Sequence, residues 1–308
     1  MRSLLTFEFV DTIARTSSIR KAAESLAITS TALNRRILAL EEELGVELFE
    51  RLPKGVRLSA AGELFLSYIR NQLADLERVK SQIDDLSGQR RGHISIACSQ
   101  AVLTSYLPRE IASYRTRHPA VTFDVQVRDR AAAERALLEM SADLALVFEP
   151  VQMADFQTLF SVHQPVYALL PETHPLASQK ELKLRDCMNY PLALPTHAYG
   201  VRRLLEMATH KSLRKLQPAV ESDSFEYLRY QTLAEGILTF QIELGLPLNL
   251  NEQGLVAIKL CDVPPGILYV GQLTGRTLPV APAKFAQQLI SSLDRNSGSV
   301  AEQGRPCV

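Results

Sequence analysis

Asn34 and Arg35 are the residues of this chain best suited to chemistry, and that chemistry is hydrogen bonding to a base edge. An asparagine amide pairs an acceptor and a donor that match adenine, and an arginine fork offers two donors that match guanine. Beside them stand Ser30, Thr31 and Arg36, and further on the basic Arg51, Lys54 and Arg57. Ser30 or Thr29 would cap the helix that carries them, leaving free backbone N–H groups aimed at a phosphate. Bond-making chemistry finds no comparable set. His93, His118, His163, His174, His197 and His210 show neither an i, i+4 pair nor a nearby Cys ligand, so no metal is expected. There is no glycine-rich phosphate loop and no nucleophile elbow, and no catalytic residue is assigned.

The elements that must position Asn34 and Arg35 are legible as apolar stripes. Helix 1 is expected from about Leu4 to Arg15, burying Leu5, Phe9 and Ile13. Ala22, Ala23 and Leu26 share one face of the next short helix, and Leu33, Ile37, Leu40 and Leu44 recur every three or four residues on the one after. The two stripes face each other, and the small alanines allow a close crossing. The polar turn with Ser30, Thr31, Asn34 and Arg35 then points outward, as a helix entering a DNA major groove does. ERLPKGVRLS reads as a hairpin turning at Pro53 and Gly55, with Arg51, Lys54 and Arg57 along a backbone or minor groove. From Ser59 a long helix follows, whose Ile69, Leu73, Leu76, Val79, Ile83 and Leu86 step as a dimer seam. Two recognition helices held by one seam fit a roughly dyadic operator.

From Leu4 to about Leu86 the chain resembles LysR-type transcriptional regulators. FEFVDTIARTSSIRKAAESL, ALNRRILALEEELGVELFER and GVRLSAAGELFL stand in that family's order and spacing. Beyond Gly92 the likeness continues through GHISIACSQ, YLPREIASYRTRHPAVTF and SADLALVFEP. A Gln-Pro pair usual at the start of the recognition helix is Ser30 and Thr31 here, and a usual Ser is Asn34. The docking mode carries over; a consensus base readout does not.

The resemblance implies an α/β fold with an N-terminal, mainly α winged helix-turn-helix. It also implies an effector domain of two doubly wound α/β subdomains of the type 2 periplasmic-binding-protein kind. The expected organisation is a DNA-binding domain over 1–58, a dimerisation linker helix over 59–87 and a hinge over 88–92. An effector-binding domain over 93–295 follows, with subdomain I at about 93–163 and 268–295 and subdomain II at about 164–267, then a disordered tail over 296–308. HISIAC, VTFDVQV and LALVF are the first strands, with helices over Ala101 to Arg117 and Ala131 to Met140, giving a parallel sheet covered on both sides. A second unit of the same kind is read from VYALL, PLALP, AVES, ILTF and LVAIKL, with helices near Val201 to His210 and Ser224 to Glu235. ILYVGQL and a helix over Pro282 to Leu293 return to the first unit.

In open α/β units ligands sit beyond the carboxyl ends of the strands. That rule nominates Ser99 and Gln100, Arg128 and Asp129, Phe148 and Glu149, and from the second unit Thr196, His197 and Tyr199. In the family this cleft takes small, often anionic metabolites, so a small-molecule effector is expected and no cofactor. The implied partners are double-stranded promoter DNA, a second copy of the chain in a dimer or a dimer of dimers forming a homotetramer, and RNA polymerase.

With 308 residues, 46% of them apolar, the chain has ample material for two or three cored units. Lys and Arg (34) balance Asp and Glu (34), so global charge does not announce nucleic acid. The basic residues named above, with Arg20 and Lys21, would gather on one side while Glu41, Glu42, Glu43, Glu47 and Glu50 turn away. No secretory signal and no run of eighteen apolar residues is present, and Cys98, Cys187, Cys261 and Cys307 lack metal-ligand spacing. A bacterial, cytoplasmic protein with reduced thiols and no membrane partner is expected. The rival reading is an α/β enzyme or small-molecule-binding protein with no sequence-specific DNA role.

Overall fold

The computed structural model describes residues 2–86, 91–148, 154–210 and 215–300. The chain divides into two compact units, Met1–Ile83 and Asp84–Val308. The hinge residues 88–90, Glu149, Cys307 and the end of the chain after 300 lie outside the described residues.

In the first unit α1 (Arg2–Thr16), α2 (Ile19–Ser25) and α3 (Ser30–Leu44) precede a hairpin of β1 (Phe49–Leu52) and β2 (Gly55–Leu58), and α4 (Ala60–Leu86) follows. Ser18 caps α2 by accepting from Lys21 N, and Thr29, not Ser30, caps α3 by accepting from Ala32 N at 3.2 Å. Gly45 ends α3 in the left-handed region. The core is Phe9, Val10, Ile13, Ala22, Ala23, Leu33, Ile37, Leu48, Phe49, Val56, Leu66 and Ile69. Val10 takes the buried place expected of Leu5, which is 43% exposed, and Leu44 at the far end of α3 is 41% exposed.

Two close approaches fix the hairpin and the start of α4. Gly55 has φ +136°, and a Cβ there would lie 2.4 Å from Ser17 O, the carbonyl that accepts from Val56 N. Only glycine combines that backbone with that approach. At Gly62 a Cβ would lie 2.1 Å from Leu48 O, so the first turn of α4 rests on the loop before the hairpin, where Ser59 caps it by accepting from Gly62 N. The consequence is a correction to the seam. Ile69 is 0% exposed and belongs to the core of the first unit, and Leu73 packs against that core. Asp11 of α1 reinforces the contact, accepting from Arg70 Nε at 2.8 Å and Arg15 Nε at 2.7 Å. Among the described side chains the large apolar residues that α4 leaves exposed are Leu64, Tyr68, Val79 and Ile83, with Leu76 half-buried on the same stripe, while the side chain of Leu86 lies outside the described ones.

The second unit begins with β3 (Gly92–Cys98), a 3-10 turn over Gln100–Val102, α5 (Tyr106–Arg117), β4 (Val121–Val127), α6 (Arg130–Leu138) and β5 (Leu144–Phe148). The expected single helix from Ala101 is thus broken. Pro108 sits in the first turn of α5, where its missing N–H costs nothing, and Ser105 before it donates to Leu244 O and Leu246 O. Next come β6 (Phe156–Gln164), β7 (Val166–Pro171), β8 (Glu181–Leu182), α7 (Leu184–Cys187), β9 (Ala193–Pro195) and α8 (Gly200–Thr209). The chain closes with β10 (Val220–Ser222), α9 (Phe225–Glu235), β11 (Thr239–Ile242), β12 (Leu255–Leu260), β13 (Gly266–Leu273) and α10 (Val280–Val300). Helix α10 runs past Arg295 through Val300, where the sequence reading places the start of a tail.

One sheet has the order β4-β3-β5-β13-β6, with β3, β4 and β5 parallel as expected and β13 antiparallel to both neighbours. The other has the order β11-β7-β12-β8; β7 is antiparallel to β11 and β12, so its centre is not a repeat of the first sheet. The parallel pair β9 and β10 joins it through a bridge between Leu192 and Leu238. The chain passes between the sheets at Pro165 and again between β12 and β13, and one apolar cluster spans both. Cys98 and Cys187 are buried within it, which pushes each thiol up to about 12 and leaves it inert at neutral pH.

Candidate nucleic-acid interface and ligand cavity

Helix α3 presents Ser30, Thr31 and Arg35 exposed at its N-terminal turns, over the backbone N–H groups that the Thr29 cap leaves free. Ser30, Thr31, Arg35 and Lys54 make no side-chain hydrogen bond or ion pair among the described residues, so their polar groups face solvent. Asn34 is half-buried, and Arg51 of β1 reaches from the hairpin to α3 and donates to its Oδ1 at 3.0 Å. The structure therefore brings these two candidates together across seventeen positions of sequence.

Two other candidates are engaged elsewhere. Arg36 lies 5.4 Å from the centre of the Phe9 ring, a cation–π contact on the side of α3 that faces α1. Arg57 is paired with Glu50 at 2.5 Å, its cross-strand neighbour, so Glu50 does not turn away from the basic residues as expected. Glu41 is also drawn inward, accepting from Leu48 N at 2.7 Å and Phe49 N at 3.1 Å to fix the loop into the hairpin.

In the second unit the candidates from the strand ends come partly together and partly do other work. Ser99 caps the 3-10 turn, Asp129 caps α6 by accepting from Ala132 N at 2.8 Å, and Arg128 donates to Gln126 Oε1 at 2.7 Å. Phe148 is 5% exposed and packs where a Cβ on Gly200 or Gly266 would stand, so it is core and not a ligand wall. Thr196 N donates to Ser222 O, while His197, exposed, places Nδ1 3.0 Å from Glu206 Oε1. Glu206 also accepts from the buried Arg202 at 2.7 Å, which holds Glu221 as well. The Tyr199 ring meets Phe225 edge-on at 5.2 Å; burial, then the charges of Asp223 and Asp129, raise its phenol above the ordinary range.

Of this group, Gln100 lines a cavity of about 600 Å³ among the described residues. Its other walls are Leu103 and Thr104 from the turn after β3, Ser224 to Glu226 and Arg229 from α9, and Pro247, Leu248, Asn249 and Gln253. A narrower recess shares Thr104, Phe225 and Arg229 and ends on Leu169, Thr239 and Phe240. Arg229 is mostly buried between Glu226 and Gln253, both of which accept from it. The Thr239 hydroxyl is buried with no hydrogen-bond partner among the described residues. Sequence reading missed this wall, although the strand-end rule applied to AVES would have pointed to Ser224, which follows β10 and caps α9. Among the described residues no group of three His, Cys, Asp or Glu side chains could hold a metal ion. No described helix is long and apolar enough to cross a membrane.

Comparison with known proteins agrees with this architecture. A family model described as the LysR substrate binding domain matches residues 87–294, and one described as a bacterial regulatory helix-turn-helix protein of the lysR family matches residues 4–63. The RuBisCO operon transcriptional regulator of Allochromatium vinosum is 26% identical over 297 residues, covering 96% of this chain and 97% of that one. A full-length OxyR variant from Pseudomonas aeruginosa superposes with a TM-score of 0.72 at 19% identity, over 93% of this chain and 94% of that chain. Full-length CbnR in complex with its target DNA gives 0.61 at 16% identity, over 95% and 99%. At these identities the two structures show the fold alone. The chain belongs to the LysR family of DNA-binding transcriptional regulators.

Proposed function

We propose that this regulator contacts promoter DNA through Ser30, Thr31, Asn34, Arg35, Arg51 and Lys54, and that a small acidic molecule held in its second unit modulates that binding. The carrying observation is the exposed N-terminal half of α3, where Arg35 has no protein partner among the described residues and the first turn holds free backbone N–H groups. Arg36 and Arg57 are less suited to bases, since Phe9 and Glu50 already hold them. The ligand reading is supported by the cavity between Gln100 and α9, whose mostly buried cation is Arg229 and whose recess ends on the unpaired Thr239 hydroxyl. A carboxylate would exchange with Glu226 for the Arg229 fork.

The protein is proposed to act as a dimer or dimer of dimers in the cytoplasm, paired through Leu76, Val79 and Ile83 with Leu64 and Tyr68, and to meet RNA polymerase at the promoter. A ligand that binds one conformation of the second unit better shifts the population, and a few kcal/mol of differential affinity suffices. The test is footprinting of the upstream promoter fragment with and without a series of small organic acids, alongside melting temperature. An Arg35→Ala protein that binds the fragment as wild type does would sink the DNA half. Acids that leave both melting temperature and footprint unchanged would sink the ligand half.

A further inference from the structure

Arg51, on the first strand of the hairpin, donates through Nη2 to Asn34 Oδ1 at 3.0 Å. A guanidinium has no acceptor, so only the carbonyl oxygen of the Asn34 amide can face it, and the contact fixes the orientation of that amide. Nδ2 is left as the donor end and makes no hydrogen bond among the described residues, and Arg51 keeps further N–H groups to donate. A lone asparagine reads adenine because its oxygen accepts from N6 while its amino group donates to N7. Here the oxygen already takes a hydrogen bond from a cation, and the adenine N6 amino group would approach it against that charge. Guanine offers two acceptors, N7 and O6, and meets donors only.

We propose that Asn34 and Arg51 form one donor pair that reads guanine, in place of the adenine an unattended asparagine would select. The pair lies on the open side of the helix: Arg51 is exposed, as are Ser30, Thr31 and Arg35. The carboxylate nearest to it in sequence, Glu50, is held by Arg57 at 2.5 Å. The inference deepens the DNA-binding reading above and rests on it.

The test is selection from a random-sequence duplex library at low ionic strength, using the full chain as wild type and as Asn34→Ala, Arg51→Ala and Asn34→Asp. The position read by the pair is the one whose base preference vanishes in Asn34→Ala. Wild type is expected to favour guanine over adenine there by about ten-fold. Arg51→Ala is expected to turn the preference to adenine, and Asn34→Asp to move it to cytosine, whose N4 amino group donates. Adenine in the wild-type selection, no position sensitive to Asn34→Ala, or guanine undiminished in Arg51→Ala overturns the proposal and leaves DNA binding standing. If Arg51→Ala does not fold, guanine persisting in Asn34→Asp is the overturning result. A folded wild-type protein that retains no duplex overturns both readings.

Discussion

Gln100, just past the end of β3, accepts the first backbone N–H of helix α9, that of Phe225, at 2.5 Å. The two residues come from segments that belong to different sheets, and they stand side by side in the wall of the ligand cavity. Since Ser224 accepts from Tyr227 N at the same helix end, α9 is capped twice, once from each side of the cavity. Gln100→Ala is expected to lower stability by about 1 kcal/mol, the cost of an unmade hydrogen bond. Gln100→Glu is expected to raise it by a few tenths, because a carboxylate suits a helix N-terminus. Urea unfolding read by fluorescence checks both, and opposite signs for the two substitutions are the signature of the cap.

Arg35 and Arg36 are neighbours in sequence with different tasks. Removing Arg35 takes away an exposed cation, so Arg35→Ala should weaken promoter binding and reduce the salt slope of log K by about one. Arg36→Ala instead removes the guanidinium over Phe9 and should cost about 0.5–1 kcal/mol of folding stability. Fluorescence anisotropy across a salt series and denaturant unfolding separate the two outcomes.

Gly55 is the position where the hairpin depends on a missing side chain. A Cβ would strike Ser17 O at a φ that L-residues avoid. Gly55→Ala should destabilise the first unit by about 1–3 kcal/mol and loosen the strand that carries Arg51. Circular dichroism melts check the first effect, and loss of base selectivity without loss of the salt slope checks the second.

The helix-turn-helix was legible because Ala22, Ala23, Leu33 and Ile37 repeat at helical spacing and all are buried. Ile69 was misread for a related reason: a stripe stepping by three and four looks the same whether it meets a partner or its own domain. Strand β6 was not foreseen. Its sequence FQTLFSVHQ mixes polar and apolar residues, and its partner β13 lies about a hundred positions further on. Phe148 was nominated as a strand-end residue, but LALVF is buried along its whole length. The contacts of Arg51 with Asn34 and of Gln100 with Phe225 carry no local signal, since each joins segments that only the tertiary fold brings together.

Ile69 and Ile83 lie on one helix and should fail in different ways. Ile69 is fully buried in the first unit, so Ile69→Ala should cost about 2–5 kcal/mol of stability there. Ile83 is 56% exposed, and Ile83→Glu should leave the fold of the monomer intact while weakening self-association. Sedimentation analysis paired with thermal melts checks this, and an Ile83→Glu protein with unchanged oligomeric state would exclude it from the seam.

Glu243 follows β11, where its backbone N–H donates to Pro165 O at the passage between the two sheets. Burial raises its carboxyl above the ordinary range, and nearby Lys259 only partly opposes that. A raised carboxyl binds its proton more tightly in the folded state, so its contribution is complete below the unfolded value and is lost as pH rises through the folded one. At neutral pH the charged Glu243 is therefore a burden on the fold. Glu243→Gln should melt higher than wild type at pH 7, and the difference should shrink as pH falls into the carboxylate range. Melting curves over that interval give the sign, and a variant that is less stable at pH 7 would mean that contacts of the charged carboxylate, with Lys259 foremost, outweigh its desolvation.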